Sequence, residues 1–332
     1  MTKTKKIMFS SLLVAIAGIL AIGVAELILR RIGFRYALYP TEIQVGWPDP
    51  MAIAQSLESD REVLWVPEWY RGRIAEWQGK EPTIVFMGCS CTESGRYGEF
   101  LEERITAMHQ NAGITTVNVG VGCWTTYQGL QQLKRDVVPM RPRIVTVYYG
   151  WNDHWESFGI EDKEIGKFNL KHSVAALERY DRWRVLQLLG KIYFNFKMKL
   201  KNGPMPKRVS INDFEKNLRE IVRICREHDI VPVLMTAPSS HKHGAEPERL
   251  KLRWISDLNE LVPLHAAYVQ IVRDVAGETG AHLIDLYALF RALPEEEQAN
   301  SFTKDGIHLT EMGDRHIADF MYKYFEKDGL IK

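Results

Sequence analysis

Ser90, Asp305 and His308 could together supply a nucleophile, a base and an acid to orient that base. A serine hydroxyl is a poor nucleophile at neutral pH until an imidazole takes its proton and a carboxylate orients that imidazole. Asp305 and His308 stand three apart in Asp305-Gly306-Ile307-His308, with a glycine just after the aspartate. That spacing can bring both side chains to one side of a turn and leave one ring nitrogen facing outward. Ser90 lies in Gly88-Cys89-Ser90-Cys91-Thr92; read alone, it is equally an ordinary turn or N-cap serine. A serine nucleophile also needs donors for the developing oxyanion. The candidates are the backbone N–H of Ser90, a backbone N–H of Gly122 or Cys123, and the side-chain amide of Asn152 in Gly150-Trp151-Asn152-Asp153. Arg96, Trp124, Trp151 and His154 are further candidates for touching substrate, each with an equal claim to a structural role. His241 and His243 have no carboxylate at ligand spacing, so no metal site is expected.

Apolar runs at 83–87, 114–119, 143–149, 230–236 and 281–286 have the length and composition of buried strands. Between them lie helical patterns at about 94–108, 127–138, 211–228 and 253–279, the last divided or kinked by Pro263, and a final helix at about 311–325. Strands alternating with helices predict a mostly parallel, five-stranded α/β sheet covered on both faces. Sites in such sheets gather at the carboxyl ends of strands. The serine, Gly122–Cys123 and Asn152 motifs each follow a strand, whereas Asp305 and His308 precede the last helix.

The ordered set Gly-x-Ser-x-Thr, Asn-x-Gly in a loop from Asn118, Gly-x-Asn-Asp and Asp-x-x-His resembles the SGNH (GDSL-type) hydrolase superfamily over about residues 82–325. The resemblance implies a flavodoxin-like three-layer α/β/α fold, no metal and no cofactor. It further implies Ser90 as nucleophile, His308 as base, Asp305 as its partner, and Asn152 with a loop amide as the oxyanion hole. Two positions depart from the family. Cys89 stands where aspartate is usual, and a gapless reading puts Cys123 where the oxyanion glycine falls; a shifted alignment would use Gly122. The α/β-hydrolase arrangement differs, since its serine sits in Gly-x-Ser-x-Gly and its acid and histidine lie on separate loops.

The 332-residue chain has a formal net charge of +1, which argues against a nucleic-acid binder relying on bulk electrostatics. Lys3, Lys5 and Lys6 precede an uncharged stretch at 7–25, which as a helix can cross a bilayer core of about 30 Å. With Arg30 and Arg31 closing the run, the expectation is an uncleaved transmembrane anchor over 1–31, with a cleavable signal peptide as the rival. The N-terminal lysines favour a cytoplasmic N-terminus and an extracytoplasmic globular part. Residues 32–80 read as a proline-interrupted lead-in packed on the domain at 81–332. An insertion at about 155–210 carries twelve lysines and arginines between 163 and 208, opposed there by Glu164, Glu178 and Asp181. It reads either as a solvated helix or as a lid or membrane-surface segment facing anionic groups. Cysteines 89, 91, 123 and 225 lack zinc-finger spacing; a bridge from Cys123 to Cys89 or Cys91 and free thiols are both open. The expected activity is a membrane-anchored serine esterase working through an acyl-enzyme on a small-molecule, lipid or glycan ester, O-acetyl included. An O-acyltransferase with the same residues is the second reading, and a non-catalytic glycan-binding or assembly protein the third.

Overall fold

The computed structural model describes residues 3–36, 57–109, 113–157, 161–165, 179–180, 182–200, 206–250 and 255–331. Pro40, Trp47, Pro48, Pro50, Lys167, Lys171, Glu178, Asp181, Lys201 and the expected helix start near Arg253 lie outside them. The chain opens with helix α1 (Lys3–Arg31), whose part from Met8 to Arg31 is long and apolar enough to cross a membrane, a signature shared with signal sequences. A hairpin of β1 (Leu57–Asp60) and β2 (Leu64–Pro67) then leads into α2 (Glu68–Trp77). This part of the lead-in is regular where its prolines suggested interruption. Pro67 ends β2 and is the N-cap of α2, a place where its missing N–H costs little.

The central sheet contains β3 (Ile84–Gly88), β4 (Thr116–Asn118), β5 (Ile144–Tyr148), β6 (Val231–Met235) and β7 (His282–Ile284). Their order is β4-β3-β5-β6-β7, and every pairing is parallel. Every residue of β3 and β5 is buried, because helices cover a parallel sheet on both faces and leave no side for polar residues. One helical group pairs α4 (Tyr97–Met108) with the C-terminal helix α12 (Glu311–Lys327). The other packs α5 (Thr126–Gln132), α8 (Ile211–Glu227) and α9 (Leu261–Thr279). α8 buries Phe214, Leu218, Ile221, Val222 and Cys225, the apolar stripe of an amphipathic helix. Pro263 falls in the first turn of α9, where it needs no intrahelical partner, so the helix begins at Leu261 and is not divided.

Four departures separate the observed helices from the expected ones. The segment after β3 is a one-turn helix α3 (Ser90–Glu93) followed by a break at 94–96 before α4. The helix after β4 tightens and unwinds beyond Gln132, through a π-type turn at Leu133–Val137 and a 3-10 turn at Val138–Met140. The insertion contains α6 (Asp162–Ile165) and α7 (Arg184–Leu200), and its two ends run side by side, with the Ser157 N–H on Pro206 O at 2.8 Å and the Arg208 N–H on Trp155 O at 2.8 Å. Between β7 and α12, where the apolar pattern predicts no helix, lie α10 (Leu286–Arg291) and α11 (Glu295–Asn300).

The strand order reverses at β3, whose neighbours are β4 on one side and β5 on the other, so a crevice opens beyond the carboxyl ends of these strands. Close packing there requires Gly88. A Cβ on it would press on Thr92 Oγ1 and come within 2.7 Å of Thr92 Cβ and 2.8 Å of Tyr148 O. Gly88→Ala is therefore expected to lose about 1–3 kcal/mol through overpacking. Gly72→Ala, in α2 with nothing within 4 Å of the added carbon, is expected to gain about 0.5–1 kcal/mol through helix propensity. Urea unfolding of the two variants checks the contrast in sign.

Candidate active site

Ser90 is the first residue of α3, and Cys89 is its N-cap, with the N–H groups of Thr92 and Glu93 both 2.9 Å from Cys89 O. Burial of β3 up to Gly88 fixes where the turn begins, and the hydroxyl of Ser90 is turned towards His308. His308 comes from a loop closed at its base by an antiparallel bridge between Phe302 and Leu309. The Thr303 N–H donates to His308 O at 2.8 Å, and Gly306 adopts φ +74°, a left-handed turn that glycine takes without strain. Thr310 then caps α12. Side by side, the two segments bring His308 Nε2 to 2.8 Å from Ser90 Oγ and His308 Nδ1 to 2.5 Å from Asp305 Oδ2. A carboxylate only accepts, so Nδ1 carries the proton and Nε2 is left to accept from the serine hydroxyl.

The electrostatics follow from these contacts. Hydrogen bonding to Asp305 raises the His308 pKa above its ordinary value, against an opposing effect of burial. Burial alone would raise the Asp305 carboxyl. Hydrogen bonds from His308, the Ile307 N–H, Thr303 Oγ1 and the His308 N–H outweigh it and hold the group well below the usual carboxylate range. The imidazole is thus poised to become a cation beside a carboxylate that stays ionised.

The loop after β4 lies against the serine. A Cβ on Gly122 would be 3.8 Å from Ser90 Cβ. The Gly122 N–H already donates to Glu93 Oε2 at 2.9 Å, so of the two loop amides considered, Cys123 is the one not committed to that carboxylate. Cys123 has φ +65°, and its carbonyl accepts from Arg208 Nη1 at 2.7 Å. Asn152 reaches the same loop, its amide donating to Trp124 O at 3.0 Å. Asn118 ties loop and nucleophile turn together, donating to Thr92 O at 2.6 Å and accepting from the Gly120 N–H at 2.9 Å.

Other sequence candidates fall outside this cluster. Trp124, Trp151 and His154 are fully buried, with exposures of 0%, 1% and 0%, which leaves them no surface to offer a substrate. Trp124 packs on Tyr70, and Trp151 stacks on His265 with ring centres 3.9 Å apart. His265 Nε2 donates to Ala237 O at 2.9 Å, which makes its Nδ1 the acceptor for His154 Nε2–H at 3.1 Å. Burial keeps this pair neutral, lowering His265 to about 3 and pushing His154 well down. Arg96 is exposed, pairing with Glu99 at 2.9 Å and Glu311 at 3.5 Å on the helical surface. His241 donates to Asp305 O at 2.8 Å, while His243 pairs with Glu246 at 3.2 Å, so the two histidines serve different partners. All four cysteines are free thiols; Cys91 Sγ lies 3.7 Å from Ile307 O and links the nucleophile turn to the histidine loop.

Sequence reasoning missed Glu93, Arg208 and Asp162. Glu93 carries no motif signal; its carboxylate accepts from the Gly122 N–H at 2.9 Å. Arg208 had been counted among the basic residues of the insertion, but its side chain is fully buried. Its Nε and Nη2 grip Asp162 at 3.1 and 2.7 Å, and Asp162 also accepts from Thr125 Oγ1 at 2.9 Å. Asp153 makes a second brace, accepting from the Thr126 N–H at 2.8 Å and the Gly150 N–H at 3.1 Å, and burial raises its carboxyl to about 6. No group of three or more metal-ligating side chains occurs among the described residues.

The fold is that of a three-layer α/β protein with a flavodoxin-like strand order. The GDSL-like lipase/acylhydrolase family model matches residues 84–316, and the chain belongs to that family of SGNH-type ester hydrolases. A protein from Parabacteroides merdae described as a GDSL-like lipase superposes with a TM-score of 0.50 at 17% identity, covering 76% of this chain and 97% of that one. A lipase/acylhydrolase from Enterococcus faecalis gives 0.49 at 17% identity, covering 76% and 97%. An acetyl xylan esterase from Geobacillus stearothermophilus gives 0.47 at 17% identity, covering 75% and 96%. At such identities the likeness is one of fold. No curated protein sequence matches the chain.

Arg208→Ala would leave Asp162 as an uncompensated buried charge and is expected to cost about 3–5 kcal/mol. Adding Asp162→Ala should recover part of that loss, and denaturant unfolding of the single and double variants measures both.

Proposed function

We propose that this chain is a membrane-anchored serine esterase that forms a covalent acyl-enzyme on Ser90. The observation that carries the reading is the continuous relay from Ser90 Oγ through His308 to Asp305, at 2.8 and 2.5 Å. His308 Nε2 takes the hydroxyl proton as Ser90 attacks the ester carbonyl, and Asp305 stabilises the imidazolium that results. The tetrahedral oxyanion is met by the backbone N–H of Ser90 and of Cys123 and by the amide of Asn152. Collapse expels the alcohol, which receives its proton from His308; water activated by the same imidazole then releases the acid. Helix α1 holds the enzyme in a membrane with its N-terminus cytoplasmic and the esterase domain on the other side, a topology supported by the lysines before the apolar run. An O-acetylated glycan or a lipid ester is the substrate class such a location favours.

A fluorophosphonate probe applied to the full chain in detergent is expected to label Ser90. Ser90→Ala and His308→Ala should both abolish the label, and Ser90→Ala should lower ester turnover by roughly 10⁴-fold or more. A folded wild-type chain that takes no label overturns the reading.

Only the neutral imidazole can accept the serine proton, so activity is lost as pH falls through the His308 pKa. The acid limb of kcat/KM should have its midpoint above the ordinary histidine value of about 6.5. Asp305→Asn removes the carboxylate that raises this pKa, so the limb should move to lower pH while the rate falls by about 10³–10⁴-fold. An unmoved midpoint would show that another group sets the limb. Membranes carrying the chain should retain it through alkaline carbonate washing, and protease added from the cytoplasmic side should spare the globular domain.

A further inference from the structure

We propose that α7 is an interfacial helix, lying in the surface of an anionic lipid bilayer beside the point where α1 leaves it. The inference rests on the reading of α1 as a membrane anchor and adds a second contact made by the esterase domain.

The first observation is where α7 is fastened. The Val185 N–H donates to Glu26 Oε2 at 2.9 Å, and Arg30 Nη2 donates to Arg182 O at 2.8 Å. The Tyr36 N–H donates to Gln187 Oε1 at 3.0 Å, and Lys191 Nζ lies 5.7 Å from the centre of the Phe34 ring. Glu26 and Arg30 are about one helical turn, or roughly 6 Å, apart along the axis. The start of α7 is therefore pinned at the last turn of α1, where the apolar run ends at Arg30 and Arg31. For a spanning helix, that is the level of the headgroups.

The second observation is what α7 presents. Leu189, Ile192, Tyr193 and Phe196 fall at positions 0, 3, 4 and 7 of the helix and form one stripe. They are 55%, 56%, 62% and 61% exposed, and Trp183, just before the helix, is 53% exposed. The inner side is set by Gln187, which is buried and accepts from the Tyr36 N–H in the segment just beyond α1. A contiguous exposed stripe of large apolar side chains marks an interaction surface. Its aromatic members suit the depth at which tryptophan and tyrosine gather in membranes.

Charge selects the occupant. Arg184–Leu200 contains no acidic residue, and Arg182, Arg184 and Lys191 accompany the stripe. A two-fold contact with a second copy would set these same cations against one another. An anionic bilayer accepts the apolar stripe in its acyl boundary and the cations among its headgroups.

Site-directed nitroxide labelling of the full chain in nanodiscs tests this. Cys89, Cys91 and Cys225 are buried, so a Cys123→Ala background leaves only the introduced thiol open to the reagent. Labels go on Leu189→Cys, Ile192→Cys, Tyr193→Cys and Phe196→Cys, with Glu295→Cys on the exposed side of α11 as the water-facing control. In discs of phosphatidylcholine with phosphatidylglycerol, the ratio of oxygen to nickel-chelate accessibility at the four α7 sites should exceed that of the control about threefold or more, as for side chains below the headgroups. The ratio should fall in discs of phosphatidylcholine alone; equal ratios overturn the part played by charge. Nickel accessibility at α7 matching the control, with the chain still held in the disc, overturns the interfacial helix and leaves the anchor standing. Loss of both accessibilities with dipolar broadening assigns the stripe to a second copy and overturns the proposal. A chain that is not retained by the disc overturns the anchor and this inference with it.

Discussion

A hydrogen-bonded relay joins Ser90 to a histidine 218 residues further along the chain, and the rest of the site is arranged around closing that distance. β3 must end at the sheet edge where the strand order reverses, and the turn after it must expose the serine while burying Cys89 and Cys91. The histidine loop must arrive from the opposite direction, closed at its base by the Phe302–Leu309 bridge and released into α12 by the Thr310 cap. Packing of α4 against α12 couples the element after Ser90 to the element after His308. A shift between these helices would be transmitted directly to the serine–imidazole distance, because packed interiors yield little.

Around the relay, polar groups are buried at some cost in order to hold backbone in place. Arg208 and Asp162 meet with both side chains wholly inaccessible, and Arg208 spends its remaining nitrogen on the Cys123 carbonyl. Replacing such a pair by apolar residues is often neutral or stabilising; its value here is geometric, fixing the loop that lies against Ser90. Asp153 links the loop after β5 to the start of α5 in the same way. The neutral His154–His265 pair and the stacked Trp151 fill the space behind Asn152 without introducing a charge. The carboxylate of Glu93 accepts from the Gly122 N–H and ties the loop after β4 to the turn that carries Ser90.

The N-terminal helix and the insertion, far apart in sequence, meet through Glu26, Arg30, Arg182 and Val185, and Gln187 accepts from Tyr36 just beyond the helix. The insertion also supplies Asp162 and Arg208 to the loop that lies against Ser90, so one segment touches both the end of the N-terminal helix and the supports of that loop.

Much was legible in the amino-acid sequence because the information is local. Apolar runs bounded by turn residues located all five strands of the central sheet to within a few residues, and Ser90, Asn152, Asp305 and His308 stood out by residue type and order. Lysines, an apolar run and two arginines likewise marked the N-terminal helix. Tertiary structure alone decided the partners. No local pattern distinguishes Arg208, sealed against Asp162, from Lys163 and Lys191, exposed members of the same basic run, because burial depends on which distant loop arrives. Trp124, Trp151 and His154 lie within the very motifs that carry the site and yet face the core, since the backbone turn of each loop determines which side chains look outward. The hairpin at 57–67 was hidden because its short strands become stable only when a domain surface receives them. Spacing could offer a serine, an imidazole and a carboxylate; the parallel sheet and the α4–α12 contact bring them to within a hydrogen bond, since contacts across 218 residues are fixed by packing and not by the intervening sequence.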